Sequence, residues 1–170
     1  MRVYVPATLA MLQRLVADGV IFPVGGTAFA VTPMLRESYA EGDDDELAEV
    51  ALREAALGSL RLLAIDDDTE SVGDALPPRR AVLVADVESA TVRPDLDDAV
   101  VRVGQPVALT DLVAAYVDIA AAEPAVRAAM AVIDAADLGD EDAELLVGDA
   151  QDHDLAWYAT QELPFLLDLL

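Results

Sequence analysis

Residues 79–87, RRAVLVADV, constrain the fold more than any other stretch of this chain. Two arginines lead into an unbroken apolar run rich in valine, the pattern of a strand at a central position in a sheet. Other stretches supply its neighbours. RVYVP at 2–6 alternates with β-branched and aromatic side chains, and TAFAVT at 27–32 follows the turn PVGG. DAVVRVGQPV at 98–107 and LAWYATQEL at 155–163 complete a set of about five strands.

Helix signals fall between these strands. Thr8 is placed to cap a helix whose Leu9, Leu12, Leu15 and Val16 form one apolar stripe ending at Asp18-Gly19. Thr32-Pro33 is a second start, because the hydroxyl can accept from a free amide and proline suits the first turn. Gly42 stops that short helix. Asp43, Asp44 and Asp45 then open a longer one over 45–64, where acid at the N-terminus is favourable. DDDTESVGDALPP at 66–78 reads as a loop. Thr110 is expected to cap a helix over 111–122, broken at Glu123-Pro124 and resumed to residue 136, with a short helix over 141–147.

The resulting order, β-α-β-α-α-β-β-α-α-β, predicts an α+β fold. It implies a mixed, mainly antiparallel sheet of about five strands with helices packed on one face. A ferredoxin-like split βαβ unit preceded by an extra β-α unit meets that order. No linker divides the 170 residues, so 1–170 is expected to be a single domain.

The charge balance limits partners. The formal net charge is −23, and all 10 basic residues are arginine. Such a field repels nucleic-acid phosphates and anionic membranes, so direct binding to either is not expected. Cysteine is absent, which removes disulfides, thiolate nucleophiles and thiolate-ligated metals. The apolar stretches LVAAYVDIAAA and AVRAAMAVI are short and carry Asp118 and Arg127, so no membrane span is read. MRVYVPATLAML reads as a strand entering a helix rather than a signal peptide, and a cytoplasmic location is expected.

Three strings, MRVYVPATLAML, TAFAVTPMLRESYAEGDDDELAEVAL and DLAWYATQEL, resemble an actinobacterial family of unknown function, DUF6912. The resemblance covers most of the chain and is strongest over the first 64 residues and near the C-terminus. It implies an actinobacterial source and carries no catalytic residue across.

Thr32, Arg36 and Tyr39 are the candidate ligand-binding residues. They follow the C-terminal end of a strand, where helix amides point outward, and Arg36 could anchor a carboxylate or phosphate. The same residues also have ordinary work as cap, ion-pair partner and packing aromatic. The aspartate clusters lack calcium-loop spacing and read as solvated surface. His153, the only histidine, lies between two aspartates, and no Gly-x-Ser-x-Gly elbow surrounds Ser38, Ser59, Ser71 or Ser89. No catalytic residue, metal site or cofactor is therefore expected. Trp157 and Tyr158 point to opposite faces if they lie on a strand. Burial of both is the plainer expectation, whereas an exposed aromatic beside the apolar tail PFLLDLL marks a partner surface. Trp157, Tyr158, Phe165 and Leu166 are accordingly the candidate interface residues.

Lacking thiol and lysine, with one imidazole, the chain reads as a non-enzymatic binding or regulatory protein. Its partner is a second copy, forming a homodimer, or another protein. The alternatives are a domain that binds an anionic metabolite, or an unrecognised enzyme, at the Arg36 corner; an acidic mimic of nucleic acid that binds a basic protein; and adaptation to salt.

Overall fold

Local caps set the first elements where the side chains predict them. The computed structural model describes residues 1–69 and 76–170. Strand β1 (Arg2–Ala7) ends at Thr8, whose Oγ1 accepts from the Met11 amide at 3.3 Å and starts helix α1 (Leu9–Asp18). Gly19, at a φ of 80° that favours glycine, closes α1 by donating its amide to Leu15 O. A two-residue strand β2 (Val20–Ile21) and a tight 3-10 turn lead into β3 (Thr27–Phe29). Thr32 and Pro33 then begin α2 (Pro33–Ser38).

The next helix, α3 (Asp44–Thr69), is longer than 45–64. Asp43 Oδ1 accepts from the Glu46 amide at 2.9 Å, and Asp44, Asp45 and Glu46 fill the first turn. Its extension takes residues 66–69 out of the expected loop, and residues 70–75 of that expected loop lie outside the described residues. Strand β4 (Ala81–Asp86) is the predicted central one.

The expected strand at 98–107 is two strands in different sheets. After β5 (Thr91–Val92) come β6 (Val100–Arg102) and β7 (Val107–Ala108), separated by Gly104 and Pro106. β7 pairs with β2 in a small second sheet.

The helix expected over 111–122 is not formed. Residues 109–111 make a 3-10 turn and strand β8 (Leu112–Val117) follows. LVAAYV is a short apolar run that suits a buried strand or a buried helix equally, and pairing with β4 decides it. From Glu123 the chain is helical as expected, but the piece expected to reach residue 136 is two helices, α4 (Glu123–Met130) and α5 (Ile133–Asp137), and the short helix expected over 141–147 runs on as α6 (Glu141–Gln151). The strand expected over 155–163 is only β9 (Ala156–Tyr158); residues 160–162 form a 3-10 turn, and helix α7 (Leu163–Asp168) completes the described fold.

The architecture is α+β. Among the described residues the main sheet has seven strands, not five, in the order β5-β6-β3-β1-β4-β8-β9, and each neighbouring pair is antiparallel. β3 and β4, joined through α2 and α3, run in the same direction with β1 between them. This is a split βαβ unit, but the slot that a ferredoxin-like order gives to β6 is filled by the N-terminal strand. β6 pairs with the outer side of β3 instead.

Helices cover both faces of the sheet rather than one. Val3, Val5 and Ala7 of β1 and Leu83 of β4 pack in a core with Leu9, Leu12 and Leu15 of α1 and with Leu163 and Leu166 of α7. On the other face Phe29, Val82 and Val100 meet Leu47, Ala51 and Ala55 of α3. The unbroken apolar run of β4 requires this, because both of its alternating sets of side chains are buried. The approach of α3 is close at Gly58, where a Cβ would lie 2.8 Å from Pro6 Cγ. A third cluster joins α4, α5 and α6 to Leu60 of α3.

One ion pair fixes the end of the sheet. Arg80 precedes β4 and Asp118 follows β8, and both are buried, at 1% and 0% side-chain exposure. Arg80 Nε and Nη2 donate to the two carboxylate oxygens at 2.8 Å each, and the Arg80 amide donates to Oδ2 at 2.8 Å. The remaining guanidinium donors reach Gln151 Oε1 at 2.8 Å and the His153 carbonyl at 2.9 Å. Removing one partner strands the other charge out of water. Asp118→Ala and Arg80→Ala are each expected to cost about 3–5 kcal/mol in chemical denaturation, whereas the paired replacement Arg80→Met with Asp118→Leu costs much less.

Candidate functional site

The Thr32 corner is assembled by strand end, cap and ion pair. Thr32 Oγ1 accepts from the Leu35 amide at 3.1 Å and donates to the Asp98 carbonyl, so the hydroxyl is fully used. Ser38 Oγ donates to Asp98 Oδ2 at 2.6 Å, which ties the other end of α2 to the same residue. Arg36 pairs with Asp44 at the start of α3 and is half exposed. Tyr39 lies just past the helix, 46% exposed.

These three residues do not converge. Thr32 lines a depression of about 200 Å³ with Pro33, Met34, Val92, Pro94 and Asp98. Tyr39 lines a separate one of about 360 Å³, walled by Glu54, Asp97 and Asp98. Arg36 lines neither. Burial, then the nearby Asp97 charge, pushes the Glu54 carboxyl above its ordinary range, with Arg61 and Arg53 opposing. A space walled this way attracts cations. Among the described residues no three histidine or carboxylate groups are arranged to hold a metal ion.

A cleft that sequence reasoning does not find opens at the N-terminus of α1. It measures about 260 Å³ and is lined by Leu9, Leu63, Pro77, Arg127 and Met130 among others. Residues more than a hundred positions apart make it, and no local spacing announces it.

The C-terminal candidates lie at the β9 edge of the sheet. β9 pairs with β8 on one side and ends the strand order on the other. Trp157 stands opposite Tyr116, and Tyr158 opposite Ala115. Alternation therefore puts the two aromatics on opposite faces, as expected of a strand. Trp157 is 57% exposed, while Tyr158 is half-buried against the core that holds α1 and α7, so they are not both buried. Phe165 is 71% exposed on the outer side of α7. Leu166 is not a surface residue: with Leu163 it forms the buried side of α7 and belongs to the core.

The segment bearing Trp157 is held on both flanks. Arg80 grips the His153 carbonyl, and Leu155 packs against the α3 core. Beyond the strand, Glu162 accepts from the Ala159 amide at 2.9 Å and the Thr160 hydroxyl donates to Leu112 O at 3.3 Å. A rigid, aromatic-bearing sheet edge of this kind offers backbone groups and an indole to an incoming chain.

Three variants separate these roles. Thr32→Ala loses a helix cap and is expected to cost about 1 kcal/mol in denaturant. Arg36→Ala breaks an exposed pair and is expected to change stability by less than about 1 kcal/mol. Glu54 carries a raised folded-state pKa, so its ionised form disfavours folding. That penalty is absent below the unfolded value of about 4.3 and complete above the folded one. Glu54→Gln is therefore expected to raise the thermal midpoint at pH 7, with the gain disappearing by about pH 4.

Comparison with curated proteins and with solved structures finds no match in either. The family of unknown function DUF6912 matches over residues 1–167, and the chain belongs to that family.

Proposed function

We propose that this chain is a cytosolic protein-docking module, without catalysis of its own, that receives a partner at its C-terminal sheet edge. The observation that carries the reading is Trp157. A large aromatic side chain, 57% exposed, stands on the last strand of a sheet whose outer side is unpaired among the described residues. Exposed tryptophans on rigid elements are efficient anchors, because they bring a large contact area with few rotatable bonds. The anionic-metabolite reading has less support, since Arg36 is engaged by Asp44 and lines neither neighbouring depression.

Selection of random dodecamer peptides on the immobilised chain tests the reading. Selected peptides are expected to lose tenfold or more in affinity for Trp157→Ala, as at an interface anchor worth about 2 kcal/mol. If every selected peptide binds wild type and Trp157→Ala alike, the edge is not the docking site.

A further inference from the structure

We infer that the partner at this edge is a basic, extended segment that adds to β9 as an eighth strand of the main sheet; the inference rests on the docking reading above. Three observations point to this chemistry.

The first is the edge itself. Among the described residues β9 is the terminal strand of the main sheet, and its outer side carries no paired strand, so another strand could add there. Trp157 shares a face with Tyr116 across the β8–β9 ladder. A strand laid along β9 would set alternate side chains beside the indole, where aliphatic groups pack and cations meet its face.

The second is charge. From residue 128 to the C-terminus there is no arginine or lysine, while aspartate and glutamate occur eleven times. Asp152 and Asp154, just before β9, and Glu162, just after it, are exposed. The arginines that reach into this segment are already engaged. Arg61 pairs with Asp137 at 2.9 Å, Arg80 is saturated by Asp118, Gln151 and His153, and Arg53 donates to the Gln151 carbonyl at 3.4 Å. Arg53 keeps its positive charge, because its partner is a neutral carbonyl, but among the described residues the exposed carboxylates Asp152, Asp154 and Glu162 outnumber it, so the edge is acidic on balance. A basic partner gains from that field, and an acidic or neutral one does not.

The third is the contrast with the opposite edge. β5 carries two residues, Thr91 and Val92, bears no large aromatic side chain, and is followed by Arg93, which is already paired with Asp95 at 2.7 Å. A second copy meeting β9 through its own β9 would bring two surfaces of net acidic character together, which like-charge repulsion opposes.

Fluorescein-labelled octapeptides followed by anisotropy at 150 mM salt test the inference, together with amide hydrogen exchange at residues 156–158. An alternating Lys-Val octapeptide is compared with a Lys-Pro octapeptide of equal charge that cannot extend a sheet, and with a Glu-Val octapeptide. The Lys-Val peptide is expected to bind at least tenfold tighter than either, to protect the 156–158 amides, and to lose tenfold or more with Trp157→Ala. Trp157 is exposed, so that variant is expected to keep the circular dichroism spectrum of the wild type. Equal binding of both cationic peptides without protection at 156–158 would reduce the effect to diffuse attraction and overturn the inference. So would absence of Lys-Val binding, binding of Glu-Val, or a Trp157-dependent dimer in sedimentation. Selected dodecamers that require Trp157 but are neutral or acidic would sink the basic partner and leave the docking reading standing.

Discussion

The guanidinium of Arg80 and the carboxylate of Asp118 meet at 2.8 Å, shut away from water, and the C-terminal third of the chain is arranged around that contact. Two buried ions are expensive unless each is paired and its other hydrogen-bonding groups are occupied. Both conditions are met here. Asp118 accepts from the Arg80 backbone as well as its side chain, and Arg80 reaches onward to Gln151 and to the His153 carbonyl. The pair thus joins β4 to β8 and then to the end of α6 and the chain that becomes β9. Gln151 extends the link, since its side chain donates to the Arg53 carbonyl on α3 at 3.1 Å. The place of Trp157 at the edge of the sheet follows from this anchoring.

Small side chains make the rest of the packing possible. The long helix α3 presents Ala51, Ala55, Ala56 and Gly58 to the sheet, so it can settle close to β1 and β3. Ser59 uses that closeness: its hydroxyl donates to Ala7 O at 2.7 Å and accepts from the Ala81 amide at 2.9 Å, linking the ends of β1 and β4. A chain poor in aromatics builds its core by close contact of many small groups, and dispersion accumulates over those contacts. The few large aromatics then stand out by position. Phe29 is buried under α3, whereas Trp157 and Phe165 are turned outward.

The acidity of the chain is unevenly placed. All ten arginines precede residue 128, and those that touch the C-terminal segment are occupied within the fold. Among the described residues the surface around β9 carries more exposed carboxylates than arginines, with Arg53 as a partial counterweight. Net charge of one sign around a short edge strand discourages self-pairing and favours a partner of opposite sign.

Local signals were legible in the sequence because the interactions behind them are local. Thr8 with Gly19, Thr32 with Pro33, and Asp43 at the start of α3 all act within one helical turn, and each does what its spacing predicts. The alternation that sends Trp157 and Tyr158 to opposite faces is equally local, and so is the apolar run that makes β4 a central strand. What only the tertiary structure decided depends on partners far away in the chain. LVAAYV became a strand because β4 and β9 bracket it, β1 rather than β6 took the slot between β3 and β4, and Leu166 rather than Phe165 found the core. Arg80 is held in the interior only because Asp118, Gln151 and His153 close around it. Caps and periodicity are properties of neighbours in sequence, but burial is a property of whatever the fold brings alongside.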